Sequence, residues 1–328
     1  MNKKDLGLLI LILAVGVVVT ILNPRFLLPI NISNTSNLVG LFGLSAIGQA
    51  FVIITGGIEL SVGSVIALIG VLFVDFVATK GMPWPLAVAL MLALGVVIGL
   101  VHGLLITKLK LQPFIVTLCG LLVYRGIARF YTQDATAGFG FEQNFPALEW
   151  LTQERTLGVA HSFIAMAVVG VVMWVVLHRS VFGRYLYAVG KNEEAARFSG
   201  VRTDRTVIWA YVICQVLTVL SAIYFAMYTG SISPASQGNF YELYAIAAAV
   251  LGGFSLRGGE GSIIGVILGV ILLQELQNLV NLLGIPSSLN FAVMGGVILI
   301  GVTVDQQWGT FQTRRRSAEA ARIASKAT

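Results

Sequence analysis

The residue types that enzymes use for chemistry are scarce in this sequence, and none occurs at a catalytic spacing. Residues 190–192 read Gly-Lys-Asn and lack the hydroxyl residue and preceding glycine of a nucleotide-binding Gly-x-x-x-x-Gly-Lys-[Ser/Thr] loop. Neither His-Glu-x-x-His nor Gly-x-Ser-x-Gly occurs. Interfacial packing is the expected role of the three histidines near the ends of apolar runs, His102, His161 and His178. We therefore expect no catalytic residue and no metal site.

One ionisable residue lies well inside an apolar run. Glu275 has polar neighbours, among them Gln274, Gln277 and Asn278. A carboxylate at membrane depth costs roughly 2.5–3.5 kcal/mol to insert, so it marks a candidate pathway. Two interpretations remain open: Glu275 and Asn278 line a water-filled cavity, or Glu275 is paired internally or lies at the interface. Asp75 is about one turn from the outer end of its run and can reach water.

A glycine-rich elbow at residues 55–64 joins two apolar runs. Ser61 is a natural N-cap for the second run, and Glu59 suits the positive end of its helix dipole. The functional alternative is that the elbow lines the inner mouth of a pathway. The candidate pathway residues here are Gly56, Gly57, Glu59, Ser61, Gly63 and Ser64.

A second candidate site lies in the polar segment 179–206. Asn192 is a plausible N-cap, Glu193 and Glu194 suit a first turn, and Gly200 is a plausible stop. The pattern predicts a helix of about seven residues, which would be marginal in water without tertiary support. A short capped helix of this kind suits docking to a partner; a basic loop that only sets orientation is the alternative.

The composition indicates a protein whose solvent is the lipid bilayer. Of 328 residues, 57% are hydrophobic and 11% are charged, whereas soluble domains carry about 25% charged residues. This excludes a soluble enzyme, a nucleic-acid-binding domain and a disordered protein. Cys119 and Cys214 lie within apolar runs, which predicts two buried thiols rather than a disulfide or a metal cage.

Ten apolar runs are long enough to be candidate membrane spans. The runs at 241–254 and 288–304 are short and could be broken or tilted. The N-terminal run is predicted to be an uncleaved span because no small-x-small cleavage site follows it. All eight prolines fall between or at the edges of these runs. The runs lie near 6–22, 38–55, 61–79, 86–107, 114–131, 161–178, 207–228, 241–254, 261–282 and 288–304.

The distribution of basic residues predicts that both termini are cytoplasmic. Of the 21 Lys and Arg residues, sixteen then lie on the cytoplasmic side and two in the fifth span, Arg125 and Arg129, with only Arg25, Lys80 and Arg155 outside. The net charge of +6 is thus explained without a nucleic-acid partner. We predict a single transmembrane domain, residues 1–328, with an external loop at 132–160, a cytoplasmic loop at 179–206 and a basic cytoplasmic tail at 305–328.

Small residues at four-residue spacing predict close helix packing, because lipid supplies no hydrophobic drive for association. The two repeats are Gly95, Gly99, Gly103 and Gly261, Gly265, Gly269. A weak internal repeat also appears, since Gly56-Gly57 followed by Gly63-Ser64 resembles Gly252-Gly253 followed by Gly261-Ser262.

Three motifs in order resemble the ribose-type permease, the membrane subunit of bacterial ATP-binding-cassette importers for monosaccharides. They are the elbow Gly-Gly-Ile-Glu-Leu-Ser-Val-Gly-Ser, the loop from Gly183 to Val201, and the glycine-rich stretch from Leu251 to Gly265. The family usually has Asp where this chain has Glu59. The resemblance implies an all-α polytopic membrane protein with about ten helices. By analogy the ATPase-coupling residues are Gly183, Arg184, Asn192, Glu193, Glu194, Ala195, Ala196, Arg197, Ser199 and Gly200.

The resemblance also implies partners. A second permease, either another copy or a similar chain, would complete the pathway in the bacterial inner membrane. Two ATP-binding-cassette ATPase domains would dock in the cytoplasm and bind ATP and Mg²⁺, so this chain would hold no cofactor. An extracytoplasmic sugar-binding protein would deliver a monosaccharide or related small sugar. The alternative is a gradient-driven secondary transporter or channel for a small polar solute, with ion dependence through Glu275 or Asp75.

Overall fold

The protein is built almost entirely of helices. The computed structural model describes residues 3–140 and 145–286, and beyond them only positions 289, 292, 295, 296, 299 and 303. The predicted span at 288–304 and tail at 305–328 therefore lie mainly or wholly outside the described residues. The helices are α1 Lys3–Leu22, α2 Pro29–Ile53, α3 Val62–Val74, α4 Trp84–Thr107, α5 Pro113–Thr132, α6 Pro146–Thr152, α7 His161–Arg179, α8 Val181–Lys191, α9 Glu193–Phe198, α10 Thr203–Thr229, α11 Tyr241–Leu251 and α12 Ile263–Leu282.

Four two-residue strands and two short helical turns complete the described part. Strand β1 Ala137–Gly138 pairs antiparallel with β4 Ser231–Ile232, and β2 Arg155–Thr156 pairs with β3 Val159–Ala160. A 3₁₀ turn, Pro24–Leu27, precedes α2, and a π-helical turn, Asp75–Thr79, extends α3. In that turn the partly exposed Asp75 pairs with Lys80 at 3.0 Å, near the end of the span.

Eight helices within the described ranges are long and apolar enough to cross a membrane, which confirms an all-α polytopic membrane protein. Their bounds match the predicted runs within a few residues, except that α2 begins at Pro29 rather than near 38. The polar residues that were assigned to a loop belong to the helix because they have partners: Asn31 pairs with Asn278, and Asn37 accepts a bond from Ser162. Helix α11 is shorter, with 11 residues.

Helices α2, α3 and α10 form the centre of the bundle, with 89%, 72% and 72% of their most apolar stretches buried. Helix α10 packs against α2, α3 and α4, while α2 packs against α7, α10, α11 and α12. Cys214 on α10 is buried as predicted, whereas Cys119 on α5 is exposed because α5 lies at the periphery of the chain.

Glycines allow the closest helix contacts. Gly95, Gly99 and Gly103 of α4 all face α10, and a methyl group on Gly99 would meet the backbone of Val212 at 2.5 Å. The second repeat is only partly helical. Gly265 and Gly269 bring α12 against the backbone of α11, but Gly261 precedes α12, has φ +152°, and lies against the ring of Phe254.

The predicted internal repeat is present in the turns that follow α2 and α11, but not in the segments after those turns. Helices α2 and α11 both end in a left-handed glycine, Gly56 at φ +81° and Gly253 at φ +88°. The next N–H in each case bonds five residues back, from Gly57 to Val52 O and from Phe254 to Ala249 O. The second halves are not equivalent, because Gly63 and Ser64 lie inside α3 whereas Gly261 and Ser262 precede α12.

Candidate functional site

The elbow between α2 and α3 is organised around a buried carboxylate. Glu59 is fully buried, and its Oε2 lies 2.8 Å from Nδ1 of His102 on α4. Its Oε1 accepts bonds from the Ser61 backbone N–H at 2.8 Å and from the Ser61 hydroxyl at 2.6 Å. Ser61 lies at the N-cap position of α3 as predicted, but its side chain makes no capping hydrogen bond, because its hydroxyl donates to Glu59.

The Glu59–His102 pair and its neighbours connect five helices, α2, α3, α4, α5 and α10. Nε2 of His102 contacts the hydroxyl of Tyr124 on α5 at 2.9 Å, and Gln215 on α10 donates to Ser61 at 3.4 Å. With its amide in the orientation that satisfies both ends, Gln49 of α2 pairs with the Glu59 backbone. The expectation that His102 only packs at an interface was wrong. The two partners are 43 positions apart in the sequence, so no local spacing pattern could have revealed the pair.

The other predicted elbow residues are mostly enclosed by the chain itself. Gly57 lies beside the Tyr211 hydroxyl, and Gly63 lies against the backbone of Gly238. Ser64 is buried and donates to Ser61 O at 2.8 Å, while Gly56 is exposed at the turn. Within one chain the elbow is therefore tightly packed and does not line an open cavity.

Glu275 and Asn278 lie on α12, away from the elbow. The side-chain amides of Asn278 and Asn31 form two hydrogen bonds with each other, of 2.8 and 3.1 Å. Glu275 borders a cleft between α1 and α12 that is otherwise lined by apolar groups such as Ile12 and Phe26. Among the described residues, its Oε2 has no hydrogen-bond partner. The structure does not bring Glu275 together with Glu59.

The 179–206 loop contains two helices rather than the single one predicted. Helix α8 starts at Val181 because Ser180 caps it, accepting from Gly183 N at 3.0 Å. Its apolar side chains Leu186 and Val189 are buried, so a periodic apolar face was present in a stretch interpreted as a loop. Gly183 is buried against the backbone of α7, whereas Arg184 is exposed.

Helix α9 has the capping pattern expected from the sequence. Asn192 accepts from Ala195 N at 2.9 Å, and Gly200, with φ +85°, ends the helix. Arg197 pairs with Glu193 at 2.8 Å and donates to Thr203 at 3.1 Å, which gives this short helix its tertiary support.

Helix α9 presents nearly all of its surface outward. Of the residues 192–200, only Ala196 is buried. Phe198 is 86% exposed, a large apolar side chain left uncovered on a mainly polar surface. Phe198 was not among the predicted coupling residues, although an aromatic residue in a short capped helix is a signal that the sequence contains. Glu194, Ala195 and Ser199 are exposed beside it.

Helix α8 connects α9 to two glycine-containing turns, the α2–α3 turn and the α11–α12 turn. The N–H of Gly259, in the α11–α12 turn, donates to Ile54 O at the end of α2. Gly190 of α8 lies against both groups so closely that a side chain would overlap them. Beside this contact Lys191 pairs with Glu260 at 2.5 Å, and that hydrogen bond holds the pKa of the Glu260 carboxyl below its usual range. Displacement of α8 would therefore reach both turns.

The loop at 132–160, predicted to be external, has its own compact structure over its described residues. Helix α6 buries Leu148, the β2–β3 hairpin exposes Leu157 almost completely, and Arg129 pairs with Asp134 at 2.6 Å. The Arg129 hydrogen bond lowers the pKa of Asp134. Residues 141–144, which include Glu142, lie outside the described residues.

The described residues form a polytopic helical bundle in which glycine-containing turns are tightly packed and the short helix α9 is exposed, the architecture of a multi-pass membrane protein. The sequence model of the family described as "Branched-chain amino acid transport system / permease component" matches residues 31–302. The chain belongs to this family of transport permeases, and it is a multi-pass protein of the inner membrane. Within the described residues no cluster of His, Cys, Asp and Glu could hold a metal ion.

Relatives in several bacteria are sugar import permeases. The chain is 41% identical to the ribose import permease of Bacillus subtilis, over 92% of this chain and 91% of the relative. It is 38% identical to the ribose import permease of Escherichia coli K12, over 94% of both chains. It is 31% identical to the fructose import permease of Rhizobium meliloti, over 91% of this chain and 84% of the relative. No solved structure gives a significant match.

Proposed function

We propose that this chain is the membrane subunit of an ATP-driven importer and that it forms the pathway for a monosaccharide or related small sugar. The main support is 41% identity to a ribose import permease along nearly the whole chain. Relatives of 41%, 38% and 31% identity are named as ribose or fructose import permeases, although the family model is described by amino-acid transport. The same findings disfavour a gradient-driven transporter or channel.

Helix α9 is the proposed coupling element. Its exposed surface, with Phe198 at the end, suits a groove on an ATP-binding-cassette ATPase in the cytoplasm. That partner would bind ATP and Mg²⁺, so this chain needs no nucleotide site and carries no cofactor. Movement of α9 would pass through α8 and the Gly190 contact to the α2–α3 and α11–α12 turns.

Two further partners follow from the proposal. A second permease, identical or similar, completes the pathway, and a soluble sugar-binding protein docks on the external side, where the 132–160 loop lies. ATP binding closes the ATPase pair, moves the docked helices and favours the outward-facing state. Because a ligand shifts conformations only by differential affinity, about 5 kcal/mol must pass through the docking contact to reverse a strong preference.

Uptake of radiolabelled monosaccharides by cells that produce this chain with its native partner subunits tests the proposal. We expect uptake that stops when this chain is deleted and when the partner ATPase carries an inactivated nucleotide site. Uptake that persists with the inactive ATPase and follows an ion gradient would contradict it. Replacing both Glu193 and Arg197 by opposite charges keeps their mutual ion pair in reverse but removes the contacts of Arg197 with Thr203 and Asp204. We expect the bundle to stay folded, because α9 is a short exposed helix, and ATP hydrolysis to be uncoupled from uptake.

A further inference from the structure

The span that contains α11 is only half helical. Strand β4 lies in the external layer, where Ile232 pairs with Ala137 of the 132–160 loop. From there residues 233–240 form turns rather than a helix, and α11 begins only at Tyr241. The segment 233–240, Ser-Pro-Ala-Ser-Gln-Gly-Asn-Phe, is called the re-entrant segment below.

The re-entrant segment descends along α3 to membrane depth. Ile232 lies against Gly70 of α3, and Gly238 lies against Gly63, one residue after the start of that helix. Gly63 and Thr79, the outer end of the span, are separated by about 24 Å of helix at 1.5 Å per residue. The hydrocarbon layer is about 30 Å thick, so the segment passes well below the outer surface.

Charged side chains bind the face of the re-entrant segment that packs against the bundle. Arg125 of α5 donates to the carbonyl oxygens of Pro234 at 3.0 Å and Gln237 at 2.7 Å. Glu242 in the first turn of α11 is buried and accepts from the backbone N–H of Gly63. A cation inside a span is costly to insert, and here it satisfies backbone carbonyls that have no helical partner.

The opposite face of the segment is open. Ala235, Ser236 and Asn239 are exposed, and Phe240 is 49% exposed. Non-helical backbone at membrane depth is tolerated only where protein buries it or where it lines a water-filled cavity. Phe240 also has φ +66°, a strained conformation for a bulky residue that persists only where the surroundings enforce it.

The exposed groups at this face are uncharged. Ser236 and Asn239 offer hydroxyl and amide hydrogen bonds, and Phe240 offers an aromatic surface. A neutral polyol needs these groups, whereas a zwitterionic amino acid needs charged ones. The nearby charges Arg125 and Glu242 are bound to backbone groups instead.

Resting on the proposed import function, we propose that Ser236, Asn239 and Phe240 form a specificity-determining wall of the translocation pathway that contacts neutral sugars. Ser236 and Asn239 bond to the sugar hydroxyls, and Phe240 packs against the apolar face of the ring. Removal of a hydrogen bond at such a site weakens binding by about tenfold.

Uptake kinetics of the complete importer test the contact. We expect Asn239→Ala and Ser236→Ala to raise the KM for uptake about tenfold and to change the relative rates for pentoses, hexoses and deoxysugars. ATPase activity should still respond to the binding protein. The matched control is Ser231→Ala, an exposed serine in the external strand, which should behave as the unsubstituted chain. Unchanged kinetics and preference in both variants would overturn the proposal.

Thiol accessibility provides a second readout that does not depend on transport rates. In a Cys119→Ser background, Asn239→Cys should react with a charged, membrane-impermeant thiol reagent, and the transported sugar should slow this reaction. Val171→Cys, 65% exposed on the outer face of α7, should remain unreactive. An unreactive Asn239→Cys, or a reaction that the transported sugar leaves unchanged, would overturn the proposal. Failure of the import proposal itself would look different, since the unsubstituted complex would then take up no sugar.

Discussion

Removal of the exposed aromatic ring of Phe198 should separate folding from coupling. A phenylalanine side chain presents about 200 Å² of surface. At 86% exposure, about 170 Å² remains available to a partner, worth up to about 4 kcal/mol at 25 cal/mol per Å². The remaining 30 Å² packs within the chain and is worth under about 1 kcal/mol. Phe198→Ala should therefore leave the permease folded while weakening its contact with the ATPase.

The expected loss at a well-packed interface anchor is at least about 2 kcal/mol, or roughly thirtyfold in affinity. The assay compares ATPase co-purification, ATP hydrolysis stimulated by the binding protein, and sugar uptake in the same membranes. We expect all three to fall for Phe198→Ala, with an unchanged yield of the permease. Leu157→Ala is the matched control because Leu157 is 99% exposed but lies in the external hairpin. Normal recovery and coupling of Phe198→Ala would refute the assignment of α9 as the docking helix.

Three other substitutions test the internal architecture. His102→Ala leaves the buried Glu59 without its hydrogen-bond partner and should destabilise the protein by about 1–3 kcal/mol, measured by thermal unfolding in detergent, whereas Tyr124→Phe should cost about 1 kcal/mol. Gly99→Ala places a methyl group against the α10 backbone and should lower the unfolding temperature; Gly126→Ala, with open space around it, should not, and equal effects would contradict the packing. Gly190→Ala should reduce uptake per ATP hydrolysed by separating α8 from the two glycine turns; unchanged coupling would exclude this contact as the relay.

The sequence predicted those features that depend on local patterns. Apolar runs and proline positions predicted where the membrane spans lie, because each crossing needs about 20 apolar residues and tolerates proline only near its ends. The capping residues Asn192 and Gly200 gave α9, since a cap acts within one helical turn. The start of α2 was misplaced because its polar residues are satisfied by partners distant in the chain, such as Asn278.

Features set by long-range contacts could not be predicted in this way. The partner of Glu59 is 43 residues away on another helix, and no spacing rule connects them. Arg125 was recognised only as a basic residue left inside a span, because its acceptors are backbone carbonyls of the re-entrant segment. Exposure likewise belongs to the folded chain, so the uncovered ring of Phe198 became evident only in the structure.

The central claim is that this permease works with an ATP-binding-cassette ATPase. The most direct measurement is mass spectrometry of the proteins that co-purify with the tagged chain from native membranes in mild detergent. We predict stoichiometric recovery of an ATPase that carries nucleotide-binding cassettes, together with a second permease, identical or similar. Recovery of this chain alone, repeated after gentle cross-linking, would contradict the account and favour a gradient-driven transporter.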